Sequence, residues 1–395
     1  MTDAVTQTGL TKAKWVLLAG NFAIGTGVMA TAGTLNDLSQ SLNVSLPVAG
    51  QLIAIAAVVM AFGAPMMAGW VSGFDRRRLL TWSLIWYAVG HALCALMPSY
   101  AALWPVRALT VLAAAVFSPQ AAAAIGFMSP PAQRGSSIAF VFLGWSVASV
   151  AGIPLAAWLG ETQGWRAAFG AVAAVSTVAA VLVFWGLPNG VKPAALSLRA
   201  WKGVFTHPVL MGMVAVTALQ AAGQFTLFSY FAPYYKQVLL VTPGQLTMLF
   251  VWFGAFGLLG NLLLAHFIDR LGINRAVLLT LSAVAFSLLM WPLTVGVIST
   301  ALVLIPWALG CFSCNSAQQA RLGTSAPALA SALMALNTSA MYVGQAVGAS
   351  SGGWLLSHGG FGSLSWFSLV GVLAAMALSV WVGRQKVVMA QGVGA

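Results

Sequence analysis

Twelve long apolar runs, separated by short polar or glycine- and proline-bearing breaks, follow one another along the chain. They lie near 15–36, 47–70, 79–97, 101–126, 136–159, 165–187, 209–231, 245–267, 275–294, 298–320, 328–352 and 361–383. Each is long enough to cross the hydrocarbon layer of a bilayer as a helix. Residues 134–166 show what kind of helix is written here. No charge falls between Arg134 and Glu161, and a ridge of small residues recurs at a spacing of four: Gly144, Ala148, Gly152, Ala156 and Gly160. Such rows let two membrane helices approach until their backbones touch. Pro154 removes a backbone N–H from the same helix and bends it, which lipid tolerates only where a neighbour or a cavity satisfies the freed groups. A helix that is both close-packed and bent suits a moving part. It also suits a tight bundle without motion.

Composition agrees with a chain solvated by lipid. Hydrophobic residues make up 60% and charged residues 6%, against roughly a quarter charged in a soluble domain. The acids are Asp3, Asp37, Asp75, Glu161 and Asp269. A net charge of +12 would suit a nucleic-acid partner were it not so unevenly placed. With the N-terminus inside, one face receives Lys12, Lys14, Arg76, Arg77, Arg78, Arg134, Lys192, Arg199, Lys202, Arg270, Arg275, Arg321, Arg384 and Lys386; the other receives Arg166 and Lys236. That asymmetry is the positive-inside rule, so the basic residues set topology and both termini are expected in the cytoplasm. No nucleic-acid partner is expected. The first fourteen residues are polar and lead straight into a full span, so the first helix is expected to serve as its own insertion signal. Cys94, Cys311 and Cys314 all fall in spans, and Cys311 and Cys314 have no second ligand pair nearby, so neither a metal nor a disulfide is expected.

The expected fold is an all-α membrane protein, with twelve transmembrane helices in two six-helix, pseudo-repeated bundles. Residues 1–187 form the first bundle, 188–208 a polar linker with proline and basic residues, and 209–395 the second bundle. Each half carries an acid-and-arginine turn after its second span, at Asp75 and at Asp269, as an internal duplication would leave.

At these residues the chain resembles the major facilitator superfamily, and within it the bacterial sugar-efflux and arabinose-efflux permeases of the drug:proton antiporter branch. The stretches that carry the likeness are RGSSIAF with GWSVASVAGIPLAAWLG and GWRAAF, LNDLSQSLNVSLPVAGQL at 35–52, and WPVRALTVLAAAVFSPQAAAA at 104–124. The first is similar to the branch's fifth helix; the last places Arg107 where the family has its helix-four arginine. Asp269, Arg270 and Gly272 match the family's D-R-x-G turn, whereas Asp75 sits about three positions late against the same pattern. Val28 stands where several relatives carry a glutamate. The resemblance implies alternating access around a site near the bilayer midplane. It also implies a cytoplasmic latch made by Asp75, Arg76 and Arg77 in one half and Asp269 and Arg270 in the other.

Arg107 falls roughly 10 Å inside the outer boundary, where a permanent charge requires a partner or a cavity. Asp37, at the outer end of helix one, is the candidate partner, and the pair is expected to carry proton or charge coupling. On helix seven, Gln220, Gln224, Phe228 and Phe231 recur at helical spacing and give one face with two amides above two aromatics. Asn315 and Gln318 on helix ten, Asn337 and Gln345 on helix eleven, and Asn21 on helix one complete the candidate substrate-binding set. Each amide either glues helices together or lines water. Gly144, Gly152, Pro154 and Gly160 form the packing motif of helix five.

No acid lies at the middle of a span, so amides and aromatics point to a neutral or amphipathic solute such as a sugar, nucleoside or drug. No nucleotide-binding loop, H-E-x-x-H motif or soluble domain is present, which argues against an enzyme. The expected function is proton-coupled efflux of a small molecule across the plasma (inner) membrane by a monomer lying in the lipid bilayer, with the proton as coupling ion and no bound cofactor. Passive facilitation or import is the alternative.

Overall fold

The computed structural model describes residues 7–193 and 197–385, so Asp3 and Lys386 lie outside it. Among the described residues there are helices and turns but no strands. The twelve long helices are α1 (Gln7–Gly33), α2 (Leu46–Val71), α3 (Arg76–Leu96), α4 (Tyr100–Met128), α5 (Arg134–Val147, Ala148–Gly152 and Ile153–Gln163) and α6 (Trp165–Gly186). They continue with α7 (Pro208–Phe228, then Phe231–Gln237), α8 (Pro243–Leu271), α9 (Ile273–Leu289), α10 (Val297–Ser325), α11 (Ala330–Gly359) and α12 (Phe361–Arg384). Ten of these are long and apolar enough to cross a membrane by length and composition. The other two are α9, of 17 residues, and α11, diluted along its length by Gly, Ser and Asn.

The structure differs from the apolar pattern at three places. Helix α1 begins at Gln7, because Thr11, Lys12 and Lys14 continue the helix beyond its apolar stretch. The linker holds a helix of its own, Leu198–Thr206, whose N-terminal N–H groups are capped by Ser197 (Ala200 N to Oγ, 3.1 Å). Helix α5 widens into a π turn over Ala148–Gly152, just ahead of Pro154. A proline cannot donate to the carbonyl four residues back, and a wider turn re-registers the ladder around that gap.

The ridge of α5 lies against α1. A Cβ added at Gly144 would fall on the Leu18 carbonyl and within 2.7 Å of the Phe22 nitrogen; one at Gly152 would meet Thr26 at 2.8 Å, and one at Gly160 Thr34 at 2.9 Å. The second half repeats the contact. Gly344 of α11 presses on Ala218 of α7, Gly348 on Ala222 and Thr226, and Gly352 on Thr226. Residue for residue, Gly344 stands to Ala218 as Gly144 to Leu18, and Gly352 to Thr226 as Gly152 to Thr26. An internal duplication is visible in the packing itself.

The turns joining α2 to α3, α4 to α5, α8 to α9 and α10 to α11 gather at one end of the molecule, with most of the basic residues. At this basic end the two sets of six helices close on each other. Helix α2 packs on α11, and α4 packs on α11 and α10. Residues 113–126 of α4 and 330–338 of α11 are buried without a break. Helix α8 packs against Arg134–Val147 and Ala148–Gly152 of α5, whereas Ile153–Gln163 packs on α1 and α6. The π turn is therefore where α5 parts from α8 and stays with its own half. Beyond Met341, only Gly344, Gly348, Gly352 and Leu355 of α11 are buried, so the halves separate toward the opposite end.

The backbone contact of α11 on α7 predicts that Gly348→Ala lowers the thermal midpoint in detergent by several degrees, since a forced methyl costs about 1–3 kcal/mol where backbone cannot yield. Gly170→Ala on α6, where nothing lies within 4 Å of the added carbon, should leave the midpoint unchanged or raise it slightly.

Candidate functional site

An amide in an apolar bundle needs partners, and the structure shows which ones these side chains found. In the second half, Thr217 of α7 donates to Asn337 Oδ1 (2.5 Å), and Asn337 Nδ2 donates to Asn315 Oδ1 (3.2 Å). Gln318 donates to Thr217 Oγ1 (3.2 Å) and to the Met213 carbonyl (3.1 Å). One turn further along α7, Gln220 donates to Gln224, which donates to Cys311 Sγ (2.6 Å). The first half has the matching cluster on α1, α4 and α5. Asn21 takes a hydrogen bond from Ser118 (2.7 Å) and gives one to the Val141 carbonyl (3.1 Å), and Trp145 donates to Ser118 (3.1 Å). Across the halves, Asn261 of α8 donates to Ser146 of α5 (2.9 Å).

Of the candidate binding residues, Asn21, Gln220, Gln224, Gln318 and Asn337 are buried in this conformation and tie helices together. Asn315, Gln345 and Phe228 are half-buried, as are Cys311 and Met341. Helix α7 turns at Ser229 and Tyr230, and Phe231, in ring contact with Phe228 (5.1 Å), is buried in a closed aromatic cluster. Its ring lies 5.3 Å from Trp291 in a stacked pose and 5.0 Å from Trp307 edge-on. Phe228 stays at the margin of that cluster, 5.4 Å from Phe253.

Sequence reasoning passed over Gln120 of α4 and Gln319 of α10. Both are buried, and their side-chain carbonyls have no hydrogen-bond partner among the described residues. The rule that singled out the α7 amides would have found them. Ser118 and Trp145 carry no such signal, since neither residue type stands out in a membrane span.

The charged residues are placed differently from the expectation. Arg107 is fully buried, and the structure does not pair it with Asp37. Its Nη2 donates to the carbonyls of Gly27 (2.9 Å) and Val28 (3.3 Å) on α1, and its Nη1 lies 3.0 Å from His91 Nε2 on α3. His91 Nδ1 lies 2.9 Å from the Tyr87 carbonyl, and Tyr87 donates its hydroxyl proton to the Ile24 carbonyl (2.9 Å). The Asp37 carboxylate instead accepts from the Trp165 amide at the start of α6. That position offers unpaired N–H groups and the positive end of a helix dipole. Trp165 and Phe169 stand between the two charges, with Phe169 5.7 Å from the Arg107 guanidinium.

At the basic end, Asp75 caps α3 through the Arg78 nitrogen (3.2 Å) and takes a second bond from the Gly190 nitrogen of the linker (2.7 Å). It therefore anchors the start of the linker instead of crossing to the other half. Arg76 does cross. It is buried on the carbonyls of Val71 (3.0 Å) and Ser72 (2.9 Å) and reaches Ser331 of α11 (3.2 Å). Arg77 lies 4.2 Å over the Phe184 ring. Asp269 crosses from the other side and accepts from the Ser136 nitrogen at the start of α5 (3.2 and 3.3 Å). Arg270 is exposed.

Comparison with known proteins agrees with this architecture. Residues 17–338 match the family model described as Major Facilitator Superfamily. The chain is 31% identical over 348 residues to the inner membrane transport protein YdhP of Escherichia coli (strain K12), covering 87% of this chain and 88% of that one. It is 28% identical over 374 residues to the uncharacterized MFS-type transporter YbcL of Bacillus subtilis (strain 168), covering 93% and 95%. Among solved structures, the human organic anion transporter MFSD10 (TETRAN) superposes with a TM-score of 0.80 at 14% identity, over 94% of this chain and 99% of that one. The proton:xylose symporter XylE superposes at 0.75 and 15% identity, over 95% of each; at such identity these two speak to the fold alone. With two helix sets closed at one end and a family match over most of its length, this multi-pass membrane protein belongs to the major facilitator superfamily, whose members are transporters and not enzymes.

Proposed function

We propose that the chain is a proton-coupled secondary transporter that exports a small neutral or amphipathic solute, seen here open to the outside. The observation that carries this reading is the parting of α5 from α8 at the π turn, with closure at the basic end. The positive-inside rule makes the basic end cytoplasmic, which puts both termini inside and the open end outside the inner membrane. The moving units are residues 1–187 and 209–395, joined by the linker 188–208, in a single copy of the chain. The cytoplasmic latch is carried by Asp269 on Ser136 and by Arg76 on Ser331, with Asp75 and Arg77 holding α3 and the linker in place and Arg270 at the surface. The solute meets Phe228, Asn315, Gln345 and Cys311 first. The buried amides Asn21, Gln220, Gln224, Gln318 and Asn337, and the aromatic wall behind Phe231, are exchanged as the halves rock. Amides and aromatics without a nearby carboxylate favour an uncharged ligand. Protons enter past Asp37 toward Arg107.

Passive facilitation is the second reading, favoured by Val28 and by the lack of acids at mid-span. Proton flux in vesicles of the reconstituted protein separates the two: export by exchange requires solute-dependent proton movement, and facilitation gives none.

A thermal-shift screen with sugars, nucleosides, amino acids and lipophilic drugs should raise the midpoint with one uncharged class by mass action, and Gln224→Ala should remove that shift. Stabilisation by lipophilic cations alone would refute the neutral-solute reading. Removing the cross-half cap by Asp269→Ala should weaken cytoplasmic closure. With Cys94, Cys311 and Cys314 replaced by Ser, a cysteine introduced by Ala332→Cys should then react with maleimide several-fold faster from the cytoplasmic side than without Asp269→Ala.

A further inference from the structure

Proton coupling needs a group that gains and loses a proton as the halves move, and the acids are poorly placed for it. Among the described residues, Asp37, Asp75, Glu161 and Asp269 all lie at or near the ends of the long helices. His91 is different. It is fully buried in α3, and it touches a permanently charged residue.

The hydrogen bonds around His91 fix its state in this conformation. Guanidinium nitrogens only donate, so Nε2 accepts from Arg107; the Tyr87 carbonyl only accepts, so Nδ1 carries the ring proton. The ring is neutral here and its one free lone pair is engaged by a cation. The groups that face it are few. Its own helix supplies Tyr87 and Cys94, and α4 supplies Arg107 with the hydroxyl of Thr110, which contacts Cys94 (3.7 Å). Helix α6 supplies only the Phe169 ring, at 5.6 Å. Helix α1 supplies the carbonyls of Gly27 and Val28, which hold Arg107, and the Gly27 carbonyl also faces the His91 ring. From the other half, Tyr342 of α11 stands near enough to Tyr87 to interact with it electrostatically. Among the described residues, no carboxylate joins this group.

We propose that His91 is the residue that binds the coupling proton, in opposition to Arg107, and that its protonation breaks the tie between α3 and α4 and shifts α1 with Arg107. A proton on Nε2 takes the lone pair that Arg107 now uses and sets two cations side by side. Arg107 must then swing away, keeping at most its bonds to α1. Tyr87 of α3 binds the Ile24 carbonyl one turn before Gly27, which Arg107 of α4 binds, so α1 is held at two successive turns, once by α3 and once by α4. The position is tight: a Cβ at Gly27 would lie 2.5 Å from the Tyr87 hydroxyl, and one at Gly90 would meet Thr110. Movement of Arg107 therefore moves α1. Since α1 carries the α5 ridge, the change reaches the helix that parts from α8. Acid should thus depopulate the outward-open state seen here. The proposal rests on the proton-coupled reading above and names the residue that reading lacks.

The test uses no substrate. Spin labels at Thr162→Cys and Met248→Cys, with the native cysteines replaced by Ser, report the separation of the halves at the outer end in nanodiscs from about pH 8 to about pH 5. The expected result is a shift to shorter distances at low pH, abolished by His91→Gln and retained by His266→Gln. If His91→Gln shifts as the parent does, His91 is not the proton site, and the proton-coupled reading stands without it. If the parent shows no shift, proton coupling fails and the proposal falls with it. A protein in which His207, His266 and His358 are changed to Gln leaves His91 as the one histidine, so its imidazole nitrogen NMR signals follow the ring directly without a variant at position 91. They should report a Nδ1–H neutral ring at high pH and gain of the second proton in step with the distance change. A ring that stays neutral while the distance shifts would overturn the assignment.

Discussion

Backbone-to-backbone contact between α1 and α5, repeated between α7 and α11, is the constraint on which the remaining geometry rests. Lipid offers no hydrophobic drive for helices to associate, so their cohesion comes from packing and from polar ties. Removing side chains along Gly144, Ala148 and Gly152, and along Gly344, Gly348 and Gly352, lets carbonyls of one helix lie in the groove of the other. Each pair is then packed as one body. Given two such bodies, the only soft joint in α5 is the π turn before Pro154, and that is where the helix leaves α8 and stays with α1 and α6. The opening of the bundle follows from where the glycines hold and where the ladder yields.

The same scarcity of acids that identifies a membrane protein dictates how its arginines are held. Arg76, Arg107 and Arg321 are among the largest fully buried side chains, and each is bound by carbonyls, hydroxyls or a ring nitrogen instead of a carboxylate. Arg76 sits on the carbonyls that end α2, where unpaired acceptors and the negative end of the helix dipole favour a cation. Arg321 lies on the carbonyl (3.1 Å) and hydroxyl (2.9 Å) of Ser379, near the end of α12. A carboxylate partner would make a stronger tie. Carbonyls make a weaker one that is released without stranding a buried anion, which suits contacts that form and break in a cycle.

Much of this was legible in the chain. Spans are written in long apolar runs, topology in the uneven lysines and arginines, and the α1–α5 contact in small residues at a spacing of four. The α11 ridge was written in the same way, but Asn337 and Gln345 drew attention to a different face of that helix. What stayed hidden has a common physical cause: its partners were main-chain atoms or rings from distant parts of the chain. Backbone carbonyls leave no mark on a sequence, so elimination among the acids led to Asp37 as the partner of Arg107. Asp37 and Asp75 were both occupied elsewhere, capping α6 and α3, because exposed N–H groups at a helix start compete for any carboxylate within reach. Phe231 keeps its contact with Phe228, but the rings of Trp291 and Trp307 that bury it come from distant parts of the chain.

These placements bear on how a chain with so few acids manages charge. Asp37 at the outer rim is tied to the start of α6, the helix whose Phe169 covers His91 and Arg107. Loss of the Asp37 cap would loosen Trp165 and, through it, the aromatic cover over the arginine. On the reading proposed above, the rim position would control access and the buried imidazole would hold the proton against a fixed positive charge. Val28 fits that arrangement. At Val28, where the resemblance places a glutamate in several relatives, the main chain supplies a carbonyl to Arg107, and under the proposal the change of charge falls to α3. On that proposal the coupling chemistry would lie on the neighbouring helix, opposite the same arginine.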